Sequence, residues 1–438
     1  MIIMKFGGTS VGGANEIKNV ANIVKSNIDK KPVVVVSAVK GTTDKLIELS
    51  YKSSEGKSED LFDSIKDAHY EILEKLSLDK NLLEKDFESL GYAIKKFNGK
   101  DIDAKALDAF QSFGEQMSSK IVAAQLIKTG VKAQAFNSWD LGFLTNSDFG
   151  NAEPLEESFN NLNKNIKKLN LVPVITGFIG KTKNGEITTL GRSGSDYSAA
   201  IIGSAIDADE IQIWTDADGI MSADPRIVSN AKTLKTVSFA EASELAYFGA
   251  KILHPKTILP AVKKNISVRV LNTFNPEGRG TLILNDFEKS KQIVKSITSK
   301  KNVILIHVDS KRMLGAYGFL ARLFDVFYKY KQSIDVVSTS EVSVSLTVDN
   351  EKNLNDIALD LKGIADVKIL KNKAVICVVG EGMKHTPGVA GKIFSILGKN
   401  NINIEMISQG ASEINITFIV DGKDAENAIK LLHEEYFG

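Results

Sequence analysis

Met1-Ile2-Ile3-Met4-Lys5-Phe6-Gly7-Gly8-Thr9-Ser10-Val11-Gly12-Gly13 opens the chain. Its first six residues are apolar except Lys5, which predicts a short buried strand over Ile2–Phe6. A glycine-rich loop follows, then a helix from Ala14 to about Ile28. Strand, glycine loop and helix read either as a phosphate cradle or as an ordinary glycine turn, and the convergence of a lysine and two hydroxyls on the loop favours the cradle. Glycines let the backbone approach an anion and turn its N–H groups toward it. The helix N-terminus adds partial positive charge, Thr9 and Ser10 add hydroxyls, and Lys5 adds a full charge. Because the lysine precedes the glycines, the stretch is neither a P-loop nor a dinucleotide fingerprint. At a strand end near solvent, Lys5 should bury little.

Outward from this stretch, apolar strands alternate with amphipathic helices as far as about Glu288. Strands are predicted over Ile2–Phe6, Val33–Ser37, Ala133–Phe136, Val172–Thr176, Ile211–Trp214 and Ser267–Leu271. Helices are predicted over Leu61–Leu76, Ala104–Thr129 and Tyr197–Ala205. This order implies an α/β fold with a largely parallel sheet and helices on both faces, whose ligands gather at the carboxyl ends of the strands. Phe178–Leu190, with Asn184-Gly185 at its centre, reads as a hairpin. Asn285–Lys301, rich in Lys and Ser, reads as a linker.

Beyond it the chain repeats itself. Gly318, Phe324, Ile334 and Ser338 recur as Gly388, Phe394, Ile404 and Ser408, each offset by 70 positions, and Asp335 recurs as Glu405. Each copy reads as strand, loop, helix (Phe319–Tyr330; Val389–Lys399) and two further strands, so two ferredoxin-like α+β modules are expected.

The bulk numbers exclude several classes. With 438 residues, two to four domains are expected. Lys and Arg total 55 against 54 Asp and Glu, a net charge of +1, which offers nothing to nucleic acid or an anionic membrane. The single cysteine, Cys377, sits in the apolar run Val375–Val379 and reads as a buried strand thiol; no intrachain disulfide is possible. The opening apolar stretch is too short for a signal peptide, and no run reaches a membrane span. The five histidines lack metal-ligand spacing. A soluble cytoplasmic protein is expected.

Further clusters carry possible chemistry. Thr188 to Ser198 is a second glycine- and hydroxyl-rich loop opening a helix. There Arg192 can fork onto a carboxylate. Asp196 can hold an ammonium group, steer Lys5, or simply complement the helix dipole. Trp214-Thr215-Asp216-Ala217-Asp218-Gly219 follows a buried strand. Thr215, Asp216 and Arg226 suit a nucleotide, whereas Asp218-Gly219 reads as a turn. Lys251, in Phe248-Gly249-Ala250-Lys251, can reach a phosphate or remain a solvated helix lysine. Thr43 follows the second strand, and Glu115, early in a long helix, can face the same cleft.

Taken together, Lys5-Phe6-Gly7-Gly8-Thr9-Ser10-Val11, Phe113-Gly114-Glu115, Leu190-Gly191-Arg192 through Ala200, Trp214-Thr215-Asp216, Asp224-Pro225-Arg226 and Phe248-Gly249-Ala250-Lys251 resemble the aspartate kinases. The C-terminal repeat resembles paired ACT regulatory domains. The resemblance implies a three-layer amino-acid-kinase domain over 1–290 and ACT-like modules over 300–370 and 371–438, the two intertwined. It implies transfer of the γ-phosphoryl group of ATP, with Mg²⁺, to the side-chain carboxylate of L-aspartate. By the same resemblance Lys5 neutralises the moving phosphoryl group, Gly7, Gly8 and Ser10 cradle phosphates, and Asp196 orients Lys5 or the substrate. Arg192 clamps a carboxylate of aspartate, Thr43 and Ser195 donate hydroxyls, and Glu115 meets the ammonium group. Thr215, Asp216, Arg226 and Lys251 hold the nucleotide. No direct protein ligand for Mg²⁺ is implied.

Ser193 stands where many relatives have glycine, a small change. With no Gly-x-Gly-x-x-Gly before Gly438, a monofunctional enzyme is expected. Glutamate, acetylglutamate, carbamate and UMP kinases share the fold, but Thr9-Ser10-Val11 and the tandem ACT pair argue against them. Retention of Lys5, Glu115, Arg192 and Asp196 argues against an inactive amino-acid sensor.

The first repeat resembles that of the lysine-sensitive members, so lysine is the expected inhibitor, bound by Met313, Phe319, Leu320, Ser333, Asp335 and Ser340. In this reading Asp335 offers the counter-charge for an ammonium group, and the helix start receives the carboxylate. The second repeat has Val389-Ala390 in place of Phe319-Leu320 and is expected to complete the interface. Homodimers or tetramers joined through the ACT modules are implied.

Overall fold

The computed structural model describes residues 1–249, 255–285, 292–310 and 317–438. In chain order it runs β1 (Ile2–Phe6), α1 (Ala14–Ser26), β2 (Pro32–Val36), α2 (Thr42–Ser54), α3 (Glu59–Lys75), α4 (Glu84–Phe97) and α5 (Ala104–Lys128). Next come β3 (Ala133–Phe136), α6 (Glu156–Ile166), β4 (Val172–Thr176), β5 (Ile179–Lys181), β6 (Ile187–Thr189), α7 (Gly194–Ile206) and β7 (Glu210–Thr215). They are followed by β8 (Thr236–Ser238), α8 (Phe239–Tyr247), α9 (Pro255–Lys263), β9 (Ser267–Asn272) and β10 (Thr281–Leu284). The remainder comprises β11 (Ser296–Asp309), α10 (Phe319–Lys329), β12 (Val337–Thr339), β13 (Ser343–Val348), α11 (Leu354–Lys362) and β14 (Asp366–Val379). It ends with α12 (Val389–Lys399), β15 (Met406–Ser408), β16 (Asn415–Asp421) and α13 (Ala425–Phe437).

The chain divides into two compact units. The first comprises Met1–Ile220, Lys235–Phe239 and Ile252–Asp286, and the second comprises Met221–Leu234, Ala240–Lys251 and Phe287–Gly438.

In the first unit the strands run in the order β3-β4-β2-β1-β7-β9-β10-β8. From β3 to β9 every pairing is parallel, and β10 turns antiparallel to β9. The central strands β1 and β2 are buried throughout, as apolar runs covered on both faces must be. Ile2, Met4 and Phe6 enter one core with α1, α3, α4 and α5. Ile3 faces the other way, against Gly203 of α7. Phe6 stacks on Trp214 at 5.8 Å, so Phe6→Ala should cost about 3–5 kcal/mol. The expected hairpin is present as antiparallel β5 and β6.

In the second unit a six-stranded antiparallel sheet runs β12-β13-β11-β14-β16-β15. Its centre is the long β11–β14 pair. Ile297 of β11 belongs to one core with α12 and α13, whereas Ile304, Ile306 and Val308 belong to another with α10 and α11. The expected linker therefore ends early: Ser296–Lys301 is strand, paired with Ala374–Val379. Its Lys and Ser composition hid the buried Val294 and Ile297. Cys377 is fully buried on β14, and burial pushes its thiol up to about 12.

Candidate active site

The carboxyl ends of β1, β2, β4 and β7 lie side by side, and the functional side chains of the first unit collect there. Gly7 N–H donates to Trp214 O (3.2 Å), Ser37 N–H to Phe6 O (3.1 Å) and Gly177 N–H to Val36 O (2.9 Å), which brings the strand-end loops together.

Lys5 is not the solvent-near residue expected. It lies on a fully paired strand and is buried, with its ammonium 2.6 Å from Asp196 Oδ1. Asp196 is in the first turn of α7, so the Lys5–Asp196 contact ties β1 to that helix start. Asp196 thus sits both against the Lys5 ammonium and in the first turn of α7, where a carboxylate complements the helix dipole.

The glycine loop closes on itself. Ser10 and Val11 N–H groups both donate to Gly7 O, at 2.9 and 3.2 Å. The Ser10 hydroxyl is fully buried, bonding Trp214 O and the Thr273 hydroxyl. The Ser10 hydroxyl thus ties the loop to Trp214 of β7 and to Thr273, the residue after β9. The Gly7 N–H is likewise committed. Among the described residues no acceptor is found for the N–H groups of Gly8, Thr9 and Gly13, which leaves them as open donors of the loop.

Glu115 comes from α5, which closes on the β2 edge because Gly114 has no side chain; a Cβ there would lie 2.7 Å from Ala38 Cβ. Glu115 Oε1 accepts from Ala38 N–H at 3.0 Å, while Oε2 is buried without a partner. Burial pushes the carboxyl up to about 8, against the pull of the Ala38 bond and the Lys5 charge. Thr43 is half-buried in the first turn of α2.

At α7, Ser195 is buried and packs on Gly177, where a Cβ would lie 2.7 Å from Ser195 Cβ. Arg192 is exposed at the loop tip and has no partner among the described residues. Ser193 has φ 56°, the left-handed region, so serine for glycine here is not the small change expected and costs about 1 kcal/mol. Thr215 is half-buried and Asp216 exposed, and the Thr215 hydroxyl donates to Asp216 at 3.2 Å. Asp218 accepts from Asn272 and Asn275, as a turn residue should.

Other expected positions are arranged differently. Arg226 belongs to the second unit and forks onto Asp224, with Nη2 at 2.6 Å and Nε at 3.0 Å. Lys251 and Met313 lie outside the described residues. Phe319 buries its ring in the module core, so its offer to a ligand is its backbone N–H at the start of α10, where Gly318 supplies no side-chain cap. Leu320, Ser333 and Ser340 are exposed, and Ser340 shares a bond with Ser343 at 2.8 Å. Asp335 is not a free counter-charge. Lys300 Nζ lies 2.9 Å from its carboxylate and 3.0 Å from Asp349, and the Tyr247 hydroxyl donates to it at 3.2 Å. The second module repeats the arrangement with Lys373 held between Glu405 (2.7 Å) and Asp421 (3.0 Å). Neither lysine was singled out from the sequence. The signal was there in the recurrence of Asp335 as Glu405, which asks for a recurring partner.

Residues 1–272 match the amino acid kinase family, and residues 376–436 match an ACT domain. Aspartokinase 2 of Arabidopsis thaliana chloroplasts is 39% identical to this chain, over 99% of it and 84% of the relative. The lysine-sensitive aspartokinase 3 of Escherichia coli is 35% identical, over 100% of this chain and 99% of its own. The chain belongs to the aspartokinases of the amino acid kinase family. Structures of E. coli aspartokinase III with aspartate and ADP, and with lysine and aspartate, match with TM-scores of 0.84 and 0.85 at 33% and 34% identity, covering both chains completely. As an aspartokinase the chain is a nucleotide-using phosphotransferase acting on a carboxyl group of aspartate, with ACT domains. No helix among the described residues is long and apolar enough to cross a membrane.

Proposed function

We propose that Lys5, Asp196, Glu115 and Arg192 carry the phosphoryl transfer from ATP to the side-chain carboxylate of L-aspartate. The observation that carries this reading is the half-satisfied, buried Glu115 carboxylate on the strand edge that also holds the Lys5–Asp196 pair. Glu115 takes the ammonium group of aspartate. Arg192, free at the loop tip, forks onto a carboxylate, and Thr43 and Ser195 donate hydroxyls. The acceptor carboxylate is already ionised at neutral pH, so no base is needed. One of its oxygens bonds to the γ-phosphorus as the bond to the β,γ-bridging oxygen breaks, and ADP leaves with that electron pair. Two anions must be pressed together, so charge neutralisation and positioning supply the catalysis. Lys5 faces the transferring group, Asp196 aims Lys5, and Gly8 with Thr9 receives phosphate oxygens beside Gly7.

Thr215 and Asp216 receive the nucleotide. Arg226, once released from Asp224, and Lys251 are assigned to it by the family resemblance. Mg²⁺ arrives with ATP, held by phosphate and water oxygens. Lysine is the inhibitor, a reading that the lysine complex of the E. coli relative supports; it is received by the start of α10 and by Asp335, which Lys300 yields while keeping Asp349. The protein works in the cytoplasm as a homodimer or tetramer joined through its ACT modules. ADP release measured with L-aspartate, L-glutamate and no acceptor tests the reading; release that does not depend on aspartate overturns it.

A further inference from the structure

Asp108 lies in the first two turns of α5, two turns before Glu115, and its carboxylate is almost fully buried. It has no ion-pair partner among the described residues. Three donors converge on it: Gly150 N–H at 2.9 Å, Thr189 N–H at 2.9 Å and the Thr189 hydroxyl at 2.7 Å. Thr189 ends β6, three residues before Arg192. Thr189 O in turn accepts from Ala152 N–H at 2.9 Å, so residues 150–152 and the end of β6 are clamped together by one carboxylate. Gly191 then sits directly on this clamp. Its φ is 75°, and a Cβ there would lie 3.0 Å from Gly150 O. Leu190 N–H donates to Phe178 O at 2.9 Å and Gly194 N–H to Gly191 O at 3.0 Å, which leaves Arg192 at the tip of a loop fixed on both sides.

One rigid helix thus carries Glu115 and, about 10 Å along its axis, the group that sets the base of the Arg192 loop. We infer that Asp108 is a positioning residue that fixes Arg192 relative to Glu115, and so sets the length of amino-acid acceptor the site takes. The inference rests on the proposed roles of Glu115 and Arg192. An acceptor one methylene longer than aspartate fits only if the Arg192 loop can retreat, and the Asp108 clamp is what prevents it. A single methylene is discriminated about 10- to 200-fold by a fixed site, and a loosened site forfeits part of that.

The test measures ADP release with L-aspartate and with L-glutamate, and the ATP KM, for the parent, Asp108→Asn, Asp108→Ala and Arg192→Lys. Asparagine keeps one neutral oxygen for the two N–H groups, whereas alanine keeps none. The aspartate-to-glutamate ratio of kcat/KM should fall about threefold in Asp108→Asn and about tenfold in Asp108→Ala, with the aspartate KM raised and the ATP KM within twofold of the parent. A merely structural carboxylate would lower both substrates' parameters together and leave the acceptor ratio alone, and that result overturns the inference. Should the alanine variant not fold, the asparagine variant decides: an unchanged acceptor ratio there is sufficient refutation. Arg192→Lys separates the two levels. If it leaves the aspartate KM unchanged, the proposed role of Arg192 fails and the inference with it. If it raises the aspartate KM while the Asp108 variants keep the parental ratio, only the positioning role of Asp108 is lost.

Discussion

Lys5 Nζ and Asp196 Oδ1 stand 2.6 Å apart with each side chain only 10% exposed, so β1 and the start of α7 meet through a desolvated ion pair. Removing one member of such a pair strands the other charge in the interior. Lys5→Met should therefore lower phosphoryl transfer by about 10³ and also destabilise the first unit by about 3 kcal/mol. Combining it with Asp196→Leu should restore much of the melting temperature and none of the activity. Thermal melts beside turnover separate the two effects; a double variant as unstable as Lys5→Met alone would mean the pair is not the source of the loss.

The Glu115 carboxyl, pushed up to about 8, gives the protein a pH signature. At neutral pH the free enzyme holds a proton there that an arriving ammonium group expels. Aspartate affinity should rise between pH 6 and pH 8, by at most about tenfold per unit, and level off above about 8. Calorimetry in buffers of different ionisation enthalpy should register the released proton at pH 7, and Glu115→Gln should abolish both effects. In the ligand-free chain the sign reverses. The unfolded glutamate ionises near 4.5 and the folded one near 8, so this group's contribution to stability is full below about 4.5 and is lost as pH rises through 8.

Arg192 has no partner among the described residues, so the proposed clamp on a carboxylate breaks no existing ion pair. Arg192→Lys should raise the aspartate KM steeply, because an ammonium group cannot reproduce the planar fork, while the ATP KM changes little. Equal effects on both substrates would assign the arginine to the phosphates instead.

The strands at the site were legible because a buried parallel sheet needs apolar runs, and Ile2–Phe6 and Val172–Thr176 are apolar but for Lys5 and Thr176. Lys5 and Asp196 were singled out as charges beside glycine and hydroxyl loops, and the fold brings the two together; Glu115, inside a helix, was singled out through the family resemblance, and the fold buries it. What escaped were partnerships across long stretches of chain. Nothing local in Asp108 shows that it meets Thr189, 81 residues on. Ser10 looked like a phosphate donor because its type suits one; only the fold shows its hydroxyl already engaged by Trp214 and Thr273. Lys300 was hidden in a stretch read as linker, where a charged residue looks solvated by default.

The proposed lysine inhibition bears on that same residue, because Lys300 is the ion-pair partner of Asp335. Asp335→Ala leaves Lys300 paired with Asp349, so the second unit should keep its fold. The lysine concentration for half inhibition should rise at least about tenfold, equivalent to 1.4 kcal/mol, while activity without lysine persists. Unchanged lysine inhibition, or inhibition of the parent by threonine alone, would remove Asp335 from effector binding.

Cys377 has a practical consequence. Its sulfur is sealed within the β11–β14–β16 sheet, takes a hydrogen bond from the Thr417 hydroxyl and holds its proton up to about 12. A maleimide or a spin-label reagent, which attacks the thiolate of an accessible sulfur, should find no target in the native chain. Any cysteine introduced on the surface then becomes the sole attachment point for a fluorophore or a nitroxide. Pairs of such probes can follow the enzyme through its ligand-bound states without a cysteine-free background having to be built first.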